Sequence, residues 1–243
     1  MKEAVIALEH VSASEGNQVA IRDVSLTVRR GEAVALVGAN SSGKGLALRL
    51  CAGLESPESG AVRILGTDLT VASEEEELRL RQRVGFVFAK PALISSLSIF
   101  NNVALPLRYH TALSEAEIGE RVMARLTECG VEADHDRFPA GLEMGDARLV
   151  AIARTMVVRP EILCIDEVLV GLDADDLVRF RALIEKYRRD DGLTIVATIN
   201  APTGLFAMMD RLVLVRDGRI VSDCPPSEAC RVDDPMVHDF FTT

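Results

Sequence analysis

The sequence predicts an α/β fold in which a largely parallel sheet is interrupted by a segment made of helices. Short apolar runs typical of strands alternate with helical patterns in the first 88 residues and again after residue 154. Residues 89–154 contain helical patterns and no strand pattern. We therefore expect one domain over residues 1–243, with a sheet-based lobe of about residues 1–88 and 155–243 and a helical lobe of about residues 89–154.

The first part of the chain is predicted from apolar runs and helix ends. Ala33–Val37 is a continuous apolar run, typical of a buried strand, and a glycine-rich turn follows it. The helix Lys44–Leu54 is closed by Gly53 near its end. The helix Glu74–Arg83 has Ser73 as its cap, with acids in its first turn and arginines in its last. The other strands expected here are Ala4–Leu8, Val24–Val28, Ala61–Leu65 and Val84–Phe88.

The second part begins with helices and returns to strands. Ser114 and Glu117 form a capping-box pattern at the start of one helix. Asp217-Gly218 is a hairpin signal between the last two strands. The predicted helices are Ser98–Arg108, Ser114–Glu128 and Asp146–Val157. The predicted strands are Ile162–Ile165, Thr194–Thr198, Leu212–Val215 and Arg219–Val221.

Composition excludes some function classes. The net charge of −10 argues against a nucleic-acid-binding surface, which needs clustered Lys and Arg. An odd number of scattered cysteines, with no Cys-x-x-Cys spacing, fits a reducing compartment. No apolar run approaches the roughly 18–20 residues that cross a bilayer, so we expect a protein that does not span a membrane itself, although it can sit on a membrane partner.

A phosphate-binding loop is predicted where the strand Ala33–Val37 runs into a helix. The segment reads Gly38-Ala39-Asn40-Ser41-Ser42-Gly43-Lys44-Gly45. Such a turn presents backbone N–H groups to phosphate, and Lys44 would neutralise the β and γ phosphates. Gly45 stands where Ser or Thr supplies a hydroxyl to magnesium, so that ligand is absent. We expect hydrolysis of a nucleotide to be impaired or lost.

Two adjacent carboxylates end the apolar strand Ile162–Ile165. Ligands of open α/β sheets bind at the carboxyl ends of the strands. Asp166 is therefore placed to hold magnesium and Glu167 to act as general base on an attacking water. An ordinary acidic loop start would give the same residues, but the phosphate loop upstream favours the catalytic interpretation.

The order of these motifs resembles the nucleotide-binding subunits of ABC transporters along the whole chain. The matching segments are the phosphate loop, the helical segment, Val150-Ala151-Ile152-Ala153-Arg154, Asp166-Glu167 and Gly171-Leu172-Asp173. The resemblance implies a P-loop NTPase (RecA-like) core with an ABC-type antiparallel β edge and a helical subdomain. It also places Asp173 in a loop at the dimer contact. Residues 92–108 look most like the ATPases of Mla- or Mce-type lipid transporters.

The signature segment departs from the family. Members carry an LSGGQ-like sequence whose serine and first glycine donate to the γ-phosphate of ATP held by the opposite subunit. Here the segment reads Leu142-Glu143-Met144-Gly145-Asp146. Glu143 would repel that phosphate by about 4 kcal/mol at ~4 Å and an effective dielectric of 20. Alternatively, Glu143 turns to solvent and Met144 packs; either interpretation removes the donors.

Other family positions are also changed. Ala89 replaces the glutamine that reaches magnesium, and Ile199 replaces the switch histidine. The adenine-stacking aromatic near the N-terminus is missing, since the first aromatic residue is Phe86, and Val168 replaces the usual proline. Losing one charge-stabilising donor commonly costs ~10²–10³ in rate, so several losses predict little turnover.

The resemblance implies a pseudo-ATPase subunit of a lipid transporter, peripheral to the cytoplasmic face of the inner membrane. ATP and Mg²⁺ would be bound weakly or not at all. Its partners would be a permease, docked through its coupling helix near residues 92–107, and a second nucleotide-binding subunit, with a homodimer favoured. An Mce-type lipid-binding protein would complete the complex. The alternatives are an active but divergent ATPase, and a chromosome- or translation-associated ABC ATPase, which the acidic charge disfavours.

Overall fold

The computed structural model describes residues 2–16, 18–167, 174–199, 206 and 208–229. Within them the strands are β1 Ala4–Glu15, β2 Gln18–Arg29, β3 Ala33–Val37, β4 Ser59–Ile64, β5 Thr67–Asp68, β6 Val84–Val87, β7 Ile162–Asp166, β8 Thr194–Ile199, β9 Arg211–Arg216 and β10 Arg219–Cys224. The α-helices are α1 Lys44–Cys51, α2 Glu74–Arg81, α3 Ile99–His110, α4 Glu115–Cys129, α5 Met144–Met156, α6 Ala174–Asp191 and α7 Pro226–Ala229. Short 3₁₀ turns lie at Glu132–Asp134 and Pro139–Gly141.

The strands form two sheets. The six-stranded sheet has the order β10-β9-β3-β8-β7-β6 and is parallel except for the β9–β10 hairpin. The four-stranded sheet has the order β2-β1-β4-β5 and is antiparallel. This arrangement confirms the predicted α/β fold with an antiparallel part and a helical segment. It also brings the carboxyl ends of β3, β8 and β7 side by side, with Val37 opposite Ile199 and Asp166 opposite Thr198.

Two hydrophobic clusters lie on opposite faces of the six-stranded sheet. On β3, Ala33, Ala35 and Val37 contribute to one cluster, while Val34 and Leu36 contribute to the other. The first cluster contains the buried faces of α3, α4, α5 and α6, and the second contains α1 and the antiparallel sheet. Side chains alternate between the two faces of a strand. Every residue of β3 is apolar and buried, so this strand is covered on both faces.

The helices α3, α4 and α5 occupy the segment in which no strand was predicted. Ser98 caps α3 through the N–H of Asn101, and Ser114 and Glu117 form the predicted capping box at α4. Ser73 and Glu76 form a second box at α2. The division into two lobes stays a prediction, although α5 extends two residues beyond its boundary at residue 154.

The structure adds elements that the sequence interpretation lacked. α6 is the largest of them, and β1 and β2 are each 12 residues long instead of five. The β1–β2 register shifts at several points, and His10 and Asp23 there adopt φ angles of 51° and 53°. Such irregularities interrupt the alternation of apolar residues, so the sequence pattern predicted strands shorter than those observed. In the described part of the chain, no helix is long and apolar enough to cross a membrane.

Candidate functional site

The predicted phosphate loop connects β3 to α1 and leaves the start of α1 open. Gly43 occupies the N-cap position with a φ of 99°, a left-handed conformation that favours glycine, and it supplies no side-chain cap. The first N–H groups of a helix have no partner within the helix. Together with the helix dipole, they make this end of α1 suited to an anion such as phosphate.

Contacts with neighbouring backbone atoms restrict the conformation of the phosphate loop. A Cβ built at Gly43 would overlap the carbonyl oxygen of Ala20 on β2, and one built at Gly38 would lie 2.6 Å from Ser42 Oγ. The N–H of Gly218, in the β9–β10 turn, donates to the carbonyl of Ser42 at 3.0 Å. The backbone of the loop is therefore held by β2 and by the β9–β10 hairpin.

Lys44 is paired with the predicted general base. Its Nζ lies 3.1 Å from Glu167 Oε1 and donates to the carbonyl of Ala39 at 3.2 Å. The Lys44 side chain is 5% exposed and that of Glu167 29% exposed, so water screens this pair less than a surface pair. Glu167 has a φ of 43°, uncommon for a residue with a side chain.

Asp166 is held by a hydroxyl. Thr198 Oγ1 donates to Asp166 Oδ1 at 2.7 Å, and Thr198 Oγ1 also accepts a hydrogen bond from the N–H of Glu167 at 3.0 Å. This contact follows from the β7–β8 register, which places Asp166 opposite Thr198. The predicted residues Lys44, Asp166 and Glu167 are thus brought together at one edge of the sheet.

These residues fit a phosphate group better than a magnesium ion. Among the described residues, no group of three or more His, Cys, Asp or Glu side chains could hold a metal. Gly45 offers no hydroxyl, and the nearby hydroxyl of Ser42 is buried against Gly38. Lys44 and the open end of α1 remain as groups that attract phosphate.

The signature segment, residues 142–146, differs from the family sequence and leads into α5. Glu143 is exposed at the N-cap position and does not cap α5 with its side chain, and Met144 is 54% exposed. Within this chain Met144 does not pack, and the exposed Glu143 is compatible both with a solvent-facing side chain and with one that faces the phosphate of an opposite subunit. Gly145 is buried, and a Cβ there would overlap the carboxylate of Asp176. Asp146 lies 3.4 Å from Arg179.

Two arginines of α5 hold the loop after β6. Arg154 donates to the carbonyls of Ala92 at 2.8 Å and Pro91 at 3.2 Å. Arg148 Nη2 lies 3.5 Å from the carbonyl of Ala89, the position expected to carry glutamine. The Nε and Nη1 atoms of Arg148 are buried and have no partner in the described part of the chain. Burial lowers the pKa of both guanidinium groups.

The remaining predicted positions lie in the core, in the exposed part of the phosphate loop, or outside the described residues. Ile199 is 3% exposed and packs in the core cluster, so no polar side chain replaces the missing histidine there. Asn40 and Ser41 lie in the exposed part of the phosphate loop, and Ser41 has a φ of 62°. Asp173, Gly171, Leu172 and Val168 lie outside the described residues.

The sequence interpretation missed three residues at this site. Thr198, Arg148 and Asp176 contact the predicted residues. Thr198 could have been found, because neighbouring parallel strands end side by side and it is the polar residue at the end of β8. Arg148 and Asp176 had no such signal, since each depends on how α5 packs against its neighbours.

The comparisons with known proteins give a consistent result. The model of the family described as "ABC transporter" matches residues 21–170. The methionine import ATP-binding protein MetN 1 of Rhodopseudomonas palustris is 36% identical over 86% of this chain and 56% of its own length. The sulfate/thiosulfate import ATP-binding protein CysA 2 of Shewanella oneidensis is 33% identical over 97% of this chain and 66% of its own length. The chain thus spans about 56–66% of the length of these relatives.

A solved structure supports the same relationship. The dimeric structure of a bacterial ABC transporter cassette superposes with a TM-score of 0.84 and 27% sequence identity. The alignment covers 91% of this chain and 98% of that one. The two relatives named above import methionine and sulfate or thiosulfate, and they give no support to the Mla- or Mce-type resemblance of residues 92–108.

Proposed function

The chain belongs to the ABC transporter family, and from that premise we propose that it is a degenerate ATP-binding subunit of a membrane transporter complex, with hydrolysis impaired or lost. The observation that carries the proposal is the ion pair between Lys44 and Glu167. The phosphate-binding cation and the general base neutralise each other in a site that lacks the hydroxyl of the P-loop and the family glutamine.

A shared site formed with a second subunit is impaired on both sides. The dimeric cassette supports a second nucleotide-binding subunit as a partner. In a homodimer, each phosphate loop without its hydroxyl faces a segment in which Glu143 and Met144 replace the donors. In a heterodimer with an intact partner, each composite site is impaired on one side. Neither pairing gives a complete site, which supports the loss of turnover.

A groove between β6 and the helices is suited to a permease. A cavity of about 180 Å³ is lined by apolar residues, among them Phe86, Pro106 and Val158, and by the cationic or polar residues Arg81, Arg154 and His110. It borders the predicted docking region at Pro106. We propose that the coupling helix of the permease enters here, which would place the chain at the cytoplasmic face of the membrane as a peripheral subunit.

Two classes of transported molecule are proposed. The methionine and sulfate importers favour a small polar solute, which we put first. The resemblance of residues 92–108 favours a lipid, with an Mce-type protein in the complex. Mass spectrometry of molecules that copurify with the complex distinguishes them: a bound phospholipid supports the second class, and a bound amino acid or oxyanion supports the first.

An active but divergent ATPase is the alternative function. The convergence of Lys44, Asp166 and Glu167 at one edge of the sheet favours it, because those three groups perform much of the reaction in the family. In this case ATP with magnesium would displace Glu167 from Lys44 and release it to act as a base.

The test is ATP turnover by the purified complex with its permease. We expect turnover at background level in the wild type and in Glu167→Gln. Turnover at ordinary transporter rates that stops in Glu167→Gln would overturn the proposal and establish the alternative. Glu75→Gln is the matched control, since Glu75 is exposed on α2 and pairs with Arg79 instead of Lys44.

A further inference from the structure

A second candidate site lies outside the phosphate loop, between α4 and the turn after α5. A cavity of about 230 Å³ is lined by Arg121, Ala124, Arg125, Glu128, Val157 and Arg159. The whole chain has a net charge of −10, so a cavity lined by three arginines and one glutamate is a local reversal of charge. We propose that this cavity binds a phosphate group, as free phosphate or as a phosphate monoester.

Arg125 is the cation of this cavity that neighbouring side chains hold in place. It is 8% exposed, and its Nη1 donates to the hydroxyl of Tyr187 at 3.0 Å and pairs with Glu128 at 2.5 Å. Its guanidinium also lies 5.1 Å from the centre of the Tyr187 ring. Anchored through one nitrogen, the guanidinium keeps its other N–H groups for a ligand, and a planar guanidinium fork matches phosphate oxygens.

Arg121 and Arg159 supply further positive charge. The guanidinium groups of both residues make no hydrogen bond and no close ion pair within the part of the chain that the structure describes. Ser114 chiefly, and Arg121 to a smaller extent, lower the pKa of Glu117 one turn away on α4. Most other arginines of the described chain are bound to a carboxylate or a carbonyl, for example Arg108, Arg137 and Arg211.

The single carboxylate in the cavity does not balance these charges. Glu128 pairs with Arg125 and also with Lys186, whose Nζ lies 3.1 Å from Oε1. With three arginines and one glutamate, the lining of the cavity carries a formal surplus of two positive charges (three minus one), and its one carboxylate is already paired. A phosphate monoester, with a charge near −2 at neutral pH, matches this surplus better than a carboxylate of charge −1.

The backbone of Arg159 gives independent support. Its φ is 55°, in the turn that ends α5, where glycine or asparagine is usual. A side chain in this conformation costs about 1–2 kcal/mol. The backbone conformation at this position is better suited to glycine. An arginine there is explained if its guanidinium binds a ligand. The cavity is smaller than the roughly 300–1,000 Å³ of drug-sized sites, which fits a single phosphate group.

The test uses inorganic phosphate and the thermal unfolding of the full chain, with sodium chloride at matched ionic strength as the reference. At phosphate concentrations of about ten times Kd, we expect Tm of the wild type to rise by about 3 °C. Arg121→Ala/Arg159→Gly should bind phosphate at least tenfold more weakly, and Arg159→Gly alone should be no less stable than the wild type without phosphate. Lys44→Ala keeps the rise if the ligand is bound here and not at the phosphate loop.

Three outcomes overturn the proposal: an equal rise in the wild type and the double variant, loss of the rise in Lys44→Ala, or no rise at all. Arg181→Ala is the control for a general change in charge, since Arg181 lies on α6 and pairs with Glu185. The source of the phosphate is identified by glycerol 3-phosphate and by vesicles containing phosphatidic acid. Cosedimentation with those vesicles, lost in the double variant, assigns a lipid headgroup; binding of the soluble ester without cosedimentation assigns a free metabolite.

Discussion

The Nζ of Lys44 and Oε1 of Glu167 lie 3.1 Å apart, so the cation that should meet a nucleotide is bound to a carboxylate of its own chain. An entering phosphate must displace that carboxylate before it reaches Lys44. The side chains are mostly buried, which strengthens their attraction relative to a surface pair. The free energy of this pair is therefore subtracted from the free energy of nucleotide binding.

Replacing Glu167 with glutamine should tighten the binding of ADP without magnesium. The amide keeps the size of the side chain and removes the charge that competes with phosphate for Lys44. If the pair contributes about 1 kcal/mol, the affinity should rise roughly fivefold. Isothermal titration calorimetry in EDTA measures it, with Glu75→Gln, at an exposed position of α2, as the control. An unchanged or weaker affinity would show that the ion pair does not oppose binding.

Replacing Gly45 with serine should make ATP binding depend on magnesium. A Cβ at Gly45 meets nothing closer than Arg49 Nη1 at 3.6 Å, so the side chain fits the structure. The hydroxyl would then stand where the family has its magnesium ligand. The measurement is Tm with ATP, with and without magnesium.

Gly45→Ala is the matched control, because it raises the helix propensity of α1 by up to about 1 kcal/mol and supplies no ligand. The serine variant should gain a magnesium-dependent shift of Tm that the alanine variant lacks. The same magnesium response in both variants would mean that the missing hydroxyl does not limit metal binding.

Replacing Gly145 with alanine should destabilise the protein by about 1–3 kcal/mol. A Cβ there would overlap the Asp176 carboxylate, which is held between Gly145 and Arg179. Gly119 in α4 is the control glycine, since a Cβ there would have Phe100 Cζ at 3.9 Å as its nearest contact. Gly119→Ala should stabilise the protein by up to about 1 kcal/mol through helix propensity. Equal effects of the two variants on urea unfolding would contradict the predicted clash.

Replacing Glu161 with glutamine should reduce stability at neutral pH and lose its effect in acid. Hydrogen bonds from Arg83, at 2.6 Å, and Arg30, at 2.8 Å, lower the pKa of Glu161. A lowered folded-state pKa contributes stability above the unfolded value of about 4.3, and this contribution disappears as the pH falls through the folded value. Urea unfolding of both proteins between pH 7 and pH 3 measures the difference. A constant difference across this range would show that Glu161 acts through packing and not through its charge.

The sequence predicted the frame of the molecule well because its signals are local. Apolar runs, Ser73 and Ser114 as caps, and the Asp217-Gly218 turn depend on neighbouring residues, and all of them are present in the structure. α6 was missed although its buried residues Phe180, Leu183, Ile184 and Tyr187 follow the helical period, because charged residues separate them. That segment would be found by counting the period and not by its hydrophobicity.

The contacts at the site depended on long-range geometry that no local pattern contains. The sequence indicated that Lys44 and Glu167 share an edge of the sheet, but the ion pair between them depends on the backbone conformation of Glu167. The contact of Arg148 with the carbonyl of Ala89 likewise depends on the packing of α5 beside the loop after β6. Sequence patterns give the order of such elements, and packing gives the contacts.

The glycines of the phosphate loop are required by architecture as well as by chemistry. Gly43 sits against the carbonyl of Ala20, and Gly218 in the neighbouring hairpin sits against the same carbonyl. A mutation at Gly43 would thus damage folding even in a protein that never meets a nucleotide. Selection on foldability alone would preserve Gly43, whereas a Cβ at Gly45 would meet nothing closer than Arg49 Nη1 at 3.6 Å and is tolerated by the fold. A recognisable loop is therefore evidence of a required backbone geometry and is not by itself a sign of catalytic turnover.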